Sequence, residues 1–392
     1  MPVTVPSNGL WINKNGKKIC YNPWTHFEVN NPNGDVTICC DFGWVMGNVN
    51  HQSVEEIWNG EKFQAIRKRM LTIGAEEMCS KNCLLINGMK DYQSFSWYNN
   101  LSKTSACYEN ALINEAEIDQ GQIILKSKPR FMRLAISFGC NYKCYHCYQK
   151  APRKQSLKLP AKFINEVKTL SQFFQFFLIF GGEPTLFPEF REMLKFGENF
   201  PGLKFATTTN ASLIHNFFEE IAKVNWAFIA VSLDAASKET YERLRGSLLW
   251  HRVNMNLEAL AEIKKQKGFN FTLSMTVNSK NYHEIWDFVV LALSYGAIPK
   301  INLVANPDGI TFLKEYLTFS NYERKIILKQ IEKISREFPE IFSQTGLNVL
   351  QRQITMYHKI RFANSLLRLA TKVFPQPVQK FIKSTLRVKE YL

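Results

Sequence analysis

Six short apolar runs, at 131–137, 176–180, 203–208, 227–232, 270–276 and 300–304, alternate with longer stretches whose apolar residues recur at helical spacing. Those stretches fall near 160–173, 188–199, 214–224, 253–267, 282–295 and 321–337. Short apolar runs bounded by turn residues read as buried strands, and a 3.6-residue period reads as a helix with one face inward. Strand and helix in alternation predict an α/β fold whose parallel strands are joined by right-handed helical crossovers. Six strands are fewer than the eight that close a TIM barrel, so one side of such a fold stays open to a substrate.

The ends of the chain follow other patterns. Before the first long run, Gly34 suits a tight turn, Val36 to Cys39 a short returning strand, and Ser53 to Met70 an amphipathic helix behind a serine cap. Past Gln351, apolar residues at Ile360, Ala363, Leu367, Ala370 and Phe374 form a helical stripe. Pro375 and Pro377 break it, and Val378, Phe381, Ile382 and Val388 begin another.

Composition adds three constraints. At 392 residues and 45% hydrophobic, the chain can bury a core of one large domain with an appended module, or of two domains. No N-terminal stretch has the apolar centre of a signal peptide, and no run is long enough to span a bilayer. The net charge of +15 is concentrated at the end, where nine basic side chains from Gln351 onward face one acid, Glu390. A basic amphipathic tail of this kind suits a membrane surface or an anionic partner, and equally a solvated cap over the open side of the sheet. Nucleic acid is the weaker partner, because no RNA-binding motif accompanies the charge.

The chemistry is concentrated in the cysteines. Cys140, Cys144 and Cys147 follow the first predicted strand with the spacing C-x3-C-x2-C. Three thiolates on one short loop can hold three irons of a [4Fe–4S] cubane and leave the fourth iron open to a ligand. Zinc would want a fourth ligand; His146 is near, but it and its neighbour Cys147 cannot easily face one ion. A disulfide is disfavoured in a chain with no secretion signal.

Beyond the loop, Phe176 to Phe180 run into Gly181-Gly182-Glu183-Pro184. Ala206-Thr-Thr-Thr209-Asn210-Ala211 ends a third run, Val231-Ser232-Leu-Asp234 a fourth, and Tyr241-Glu-Arg243-Leu-Arg245-Gly246 follows. In this order the segments resemble the radical SAM superfamily. The resemblance implies a partial (β/α)6 TIM-like barrel over roughly 128–340, with S-adenosylmethionine bound at the open iron. It implies that Gly181, Gly182 and Glu183 receive the cofactor's methionine amino group, that Asn210 belongs to the cofactor site, and that Ser232 lies near the cofactor ribose. Arg243 or Arg245 would pair its carboxylate, since a planar guanidinium suits a planar anion. Ala211 departs from the pattern, which usually has glycine there.

A second cysteine set precedes the barrel: Cys20 before Pro23-Trp24, then Cys39-Cys40, Glu56-Ile57-Trp58-Asn59, and Cys79 with Cys83. This resembles the SPASM and Twitch auxiliary-cluster modules, and implies a second [4Fe–4S] cluster on Cys20, Cys39, Cys79 and Cys83. Cys40 competes with Cys39, and four cysteines at these spacings would also suit structural zinc. The module usually follows the barrel, whereas here it precedes it; the seven-cysteine SPASM pattern is absent, so one auxiliary cluster is expected. The implied organisation is a module over 1–100, a connector over 101–127, the core over 128–340 and the basic tail over 341–392. Cys107, in the connector, is either a buried small hydrophobe or a hydrogen-atom donor.

The implied activity is reductive cleavage of S-adenosylmethionine to a 5′-deoxyadenosyl radical and abstraction of hydrogen from a substrate C–H bond. A reductant such as flavodoxin or ferredoxin would feed it in a reducing cytoplasm. The substrate stays open between a peptide or protein, the default for SPASM-type enzymes, and a sugar or lipid-linked glycan, which the basic tail favours at the inner membrane surface. RNA modification ranks third. An iron–sulfur carrier without cofactor turnover is the reading from another class; retention of Gly181, Gly182 and Glu183 argues against it.

Overall fold

The computed structural model describes residues 10–12, 16–39, 43–79, 83, 86, 103, 105–147, 149, 157–303, 319–352 and 354–355. Cys40 and the tail from residue 356, including the predicted helical stripe at Ile360 to Phe374, lie outside them. The described residues form two compact units, one drawn from 1–141, 149–231 and 252–270, the other from 142–148, 232–251 and 271–392.

The first unit opens with β1 (Leu10–Ile12) antiparallel to β2 (Lys18–Cys20), then α1 (Asn22–Thr25) and β3 (His26–Val29). A turn at Gly34 leads into β4 (Asp35–Val36), which pairs antiparallel with β5 (Gly47–Asn48). The single helix expected over Ser53–Met70 is two: α2 (Val54–Trp58) and α3 (Glu61–Ile73). Ser53 caps α2 in a capping box with Glu56, as its position suggests. The break comes at Asn59, whose side chain leaves the helix to bond the backbone of Leu125 through both its oxygen (2.9 Å) and its nitrogen (2.8 Å). Next come α4 (Ala75–Met78) and α5 (Ala106–Asp119).

The segment 122–127 that leads into the main sheet is fastened by the N-terminal motif residues. Trp24 Nε1 donates to the Gln122 carbonyl at 2.7 Å, and Trp58 Nε1 to the Ser127 carbonyl at 2.9 Å. Arg67, fully buried, donates to the carbonyls of Pro23 and Ile123 and lies 4.6 Å from the Trp58 ring centre. Buried polar groups must find partners, and a buried charge more so; both tryptophans, and Arg67 through one of its nitrogens, find them in a segment that makes no ladder of its own.

The main sheet of this unit has β6 (Phe131–Ala135), β7 (Phe176–Phe180), β8 (Lys204–Thr209) and β9 (Asn225–Ser232) side by side and parallel. They alternate with α6 (Ala161–Leu170), α7 (Pro188–Gly197) and α8 (Phe218–Lys223). β7 is apolar throughout because a parallel strand is covered on both faces. β3 adds a fifth parallel strand beside β6, with His26 stacked on its register partner Phe131 at 4.6 Å. That strand was not among the predicted six: four residues between two cysteines carry too little period to read.

The second unit holds α9 (Lys238–Arg245), the parallel pair β10 (Asn270–Val277) and β11 (Ile298–Leu303), and α11 (Ile285–Ser294); α10 (Trp250–Lys267) lies mostly in the first unit. A helix over Asn321–Glu337 follows, capped by a Ser320–Glu323 box. Among the described residues no helix is long and apolar enough to cross a membrane.

Candidate active site

The end of β7 meets the loop that begins the cysteine spacing. Gly182 N–H donates to the Ser137 carbonyl at 2.8 Å, and Glu183 N–H to the Gly139 carbonyl at 2.9 Å. A Cβ on Gly182 would lie 2.0 Å from the Gly139 oxygen; one on Gly181 would lie 2.2 Å from the Ser137 oxygen, at a φ of +143° that side chains avoid. The close backbone approach for which the sequence supplies two glycines is therefore to the approach of the Cys140 loop itself.

Glu183 is fully buried and its carboxylate is occupied from within. Oε1 accepts from Thr185 Oγ1 and Thr209 Oγ1, each at 2.6 Å, and Oε2 accepts from Asn210 N–H at 2.6 Å. Burial pushes its pKa above the usual carboxylate range, against the opposing pull of these hydrogen bonds. Glu183 thus ties the end of β7 to the end of β8. Asn210, just past β8, turns its side chain to the loop: Nδ2 donates to Asn141 Oδ1 at 2.9 Å and reaches the Cys140 sulfur at 3.9 Å. Ala211 takes a left-handed φ of +59°, and its carbonyl accepts from Asn256 Nδ2 at 2.7 Å.

In the second unit the remainder of the loop, 142–147, is fastened to α9. Tyr145 N–H donates to the Leu244 carbonyl at 2.7 Å, and the Tyr142 and Tyr241 hydroxyls share a 2.7 Å hydrogen bond. Arg245 is buried, lies over the Tyr142 ring, and donates to Asp234 at 2.7 Å. His146 Nε2, between Cys144 and Cys147, stands 3.3 Å from the same carboxylate. Burial opposes ionisation of Asp234, but His146 and Arg245, with the Thr276 N–H at 2.8 Å, hold its carboxyl well below the usual range. Arg245 in turn has its charge favoured, despite burial, by Cys144 and Asp234.

The two candidate arginines are thereby separated. Arg243 is exposed and donates to the Lys280 carbonyl at 3.0 Å, whereas Arg245 faces inward and holds Asp234. Ser232 is half-buried at the end of β9. The part played by Tyr241 and Leu244 in docking the cysteine loop was not legible, because nothing in the local pattern says which face of α9 meets it.

Among the N-terminal cysteines, Cys20 ends β2 and Cys79 caps α4, and the exposed ion pair of Lys18 with Glu76 (2.6 Å) joins those two elements. Cys39 follows Thr37, whose backbone pairs with Glu28. Among the described residues no three His, Cys, Asp or Glu side chains converge closely enough to hold a single metal ion. Cys107 is buried, donates to the Phe174 carbonyl at 3.3 Å, and has its thiol pushed up to about 12 by burial, against a weaker pull from Arg130.

The radical SAM superfamily model matches residues 134–292, and the SPASM model, an iron–sulfur cluster-binding domain, matches residues 20–84. Residues 134–292 thus carry a radical SAM domain with a partial TIM-like barrel fold, and a SPASM module precedes it in the chain. Its cofactors are S-adenosylmethionine, a [4Fe–4S] cluster in the core, and further iron–sulfur ligation in the SPASM module. The AdoMet-dependent heme synthase of Methanosarcina barkeri is 27% identical over 209 residues, covering 52% of this chain and 58% of that protein. Mycofactocin maturase MftC of Mycobacterium tuberculosis is 25% identical over 179 residues, covering 44% of each. The chain thus spans about half the length of these curated relatives. Among solved structures, Streptococcus suis SuiB bound to precursor peptide SuiA aligns at 19% identity and a TM-score of 0.44, over 72% of this chain and 62% of that one.

Proposed function

We propose that this protein modifies a peptide or protein by radical chemistry at a C–H bond, with Cys140, Cys144 and Cys147 holding the core cluster. The observation that carries this is the fastening of the cysteine loop at both ends, to the glycine pair after β7 and to α9. The donor set fits a cubane with one open iron. On the cysteine loop and the helix that holds it, His146 Nδ1 and Arg245 Nε are buried and have no hydrogen-bond partner among the described residues, which suits a site completed by a polar group.

When bound, the cluster and S-adenosylmethionine supply an electron and a 5′-deoxyadenosyl radical able to take hydrogen from an unactivated C–H bond. The chain's own part is placement. Gly181, Gly182 and Glu183 set the loop against β7; Asn210 and Ser232 stand at the ends of β8 and β9, on the carboxyl edge where barrel folds gather their chemistry. Arg245 acts through Asp234 on the loop, and Arg243 stands at the surface for an incoming carboxylate. Cys20, Cys39, Cys79 and Cys83 hold the auxiliary cluster, whose electron traffic would complete a net oxidation or an epimerisation. A flavodoxin or ferredoxin is the reductant.

The peptide reading is supported by the SPASM module and by the likeness to a maturase. A sugar or lipid-linked glycan is the second reading, favoured by the basic sequence from Gln351 onward, which suits the inner membrane surface. The test is release of 5′-deoxyadenosine from anaerobically reconstituted protein with reductant, its abolition by Cys144→Ala, and its stimulation by the host's peptide fraction. Stimulation by a lipid extract alone would select the glycan; no product from well-loaded protein would select an electron carrier.

A further inference from the structure

The network on Glu183 does not stop at the strand ends. Its Oε2 holds the Asn210 backbone N–H at 2.6 Å, and Asn210 itself is 4% exposed. The Asn210 amide is fixed the right way round: Oδ1 accepts the Ser212 N–H at 2.9 Å, so Nδ2 must face the other way. There it donates to Asn141 Oδ1 at 2.9 Å and lies 3.9 Å from the Cys140 sulfur, within reach of an acceptor of sulfur's radius. Asn141 is pinned in turn by donating to Ser212 Oγ at 2.9 Å. Every group in this ring is engaged, and the end of the ring aimed at sulfur carries an N–H.

We propose that Asn210 is a positioning residue that donates Nδ2–H to the Cys140 thiolate and raises the reduction potential of the core cluster, with Glu183 as its buried brace. This rests on the reading that Cys140 ligates that cluster. Reduction adds negative charge, part of which spreads onto the cysteine sulfurs; a fixed N–H dipole stabilises the reduced state more than the oxidised one, most where water is excluded.

The experiment is an EPR-monitored redox titration of the reconstituted full-length protein, wild type, Asn210→Asp and Asn210→Leu, with iron content measured on each. The core cluster is recognised as the signal that changes on adding S-adenosylmethionine; if the wild type shows none, the cluster assignment fails and not this inference. The expected result is a lower midpoint potential in both variants at unchanged iron content, lowest in Asn210→Asp, where a carboxylate replaces the donor. An unchanged potential overturns the proposal. A second reading needs no variant: wild-type protein labelled only in the side-chain nitrogen of asparagine should show a 15N coupling to the reduced core cluster by pulsed EPR. Absence of that coupling overturns it as well, and leaves Asn210 a brace alone.

Discussion

Arg245 and Asp234 form a 2.7 Å ion pair in which both side chains are less than a tenth exposed, and His146 of the cysteine loop stands 3.3 Å from the same carboxylate. Removing one partner of a buried pair strands the other, at a cost of about 3–5 kcal/mol. Asp234→Asn should therefore lower stability to urea by about that much and reduce iron retained after reconstitution, because His146 loses its anchor. Arg245→Lys should not restore either, since an ammonium cannot span the carboxylate and the Tyr142 face as a guanidinium does. With the Asp234 carboxyl held well below its usual range, its contribution is present above an unfolded pKa of about 3.9 and lost as pH falls further.

Gly182→Ala places a methyl 2.0 Å from the Gly139 oxygen, a backbone atom that cannot step aside. The expected outcome is loss of core-cluster iron and of 5′-deoxyadenosine formation. Gly268→Ala is the control: that glycine has a φ of +72° but open space around it. It should cost about 1–2 kcal/mol of stability and leave iron content unchanged.

Ala211, buried at a φ of +59°, separates two kinds of substitution. Ala211→Gly relieves left-handed strain but loses a buried methyl and adds chain entropy, so its stability should stay within about 1 kcal/mol of wild type. Ala211→Val, β-branched, should be destabilised by about 2 kcal/mol or more, since the left-handed region excludes it. Equilibrium urea unfolding reads both.

Cys107, with its thiol pushed up to about 12, stays protonated where an unfolded thiol ionises near 9. Between those values the native state binds the extra proton, so stability falls as pH rises, by up to about 1.4 kcal/mol per pH unit. Cys107→Ala should flatten that part of the alkaline stability profile. The native thiol should also resist iodoacetamide at pH 8, because the thiolate is the nucleophile.

Much of the frame was legible because it is local. Strand–helix alternation needs only neighbouring residues, and the structure has strands at all six predicted runs, with ends moved by a few residues. The cysteine spacing, the glycine pair and the order of the strand-end segments lie in single stretches, and they were enough to identify the superfamily and its cofactors. The bond from Asn59 to Leu125, 66 residues away, was not legible.

By itself the sequence determined the class of fold, the family, and which residue types stand at the carboxyl ends of the strands, because hydrophobic period and motif spacing are written along the chain. Only the tertiary structure decided what those residues touch. It showed that Gly181 and Gly182 make room for the cysteine loop's own backbone, that Glu183 spends both carboxylate oxygens on the next strand, and that Arg245 rather than Arg243 turns inward to Asp234. It also brought β3, written more than 100 residues earlier, alongside β6. Contacts of this kind depend on hydrogen-bond direction and burial between distant segments, which no local pattern encodes.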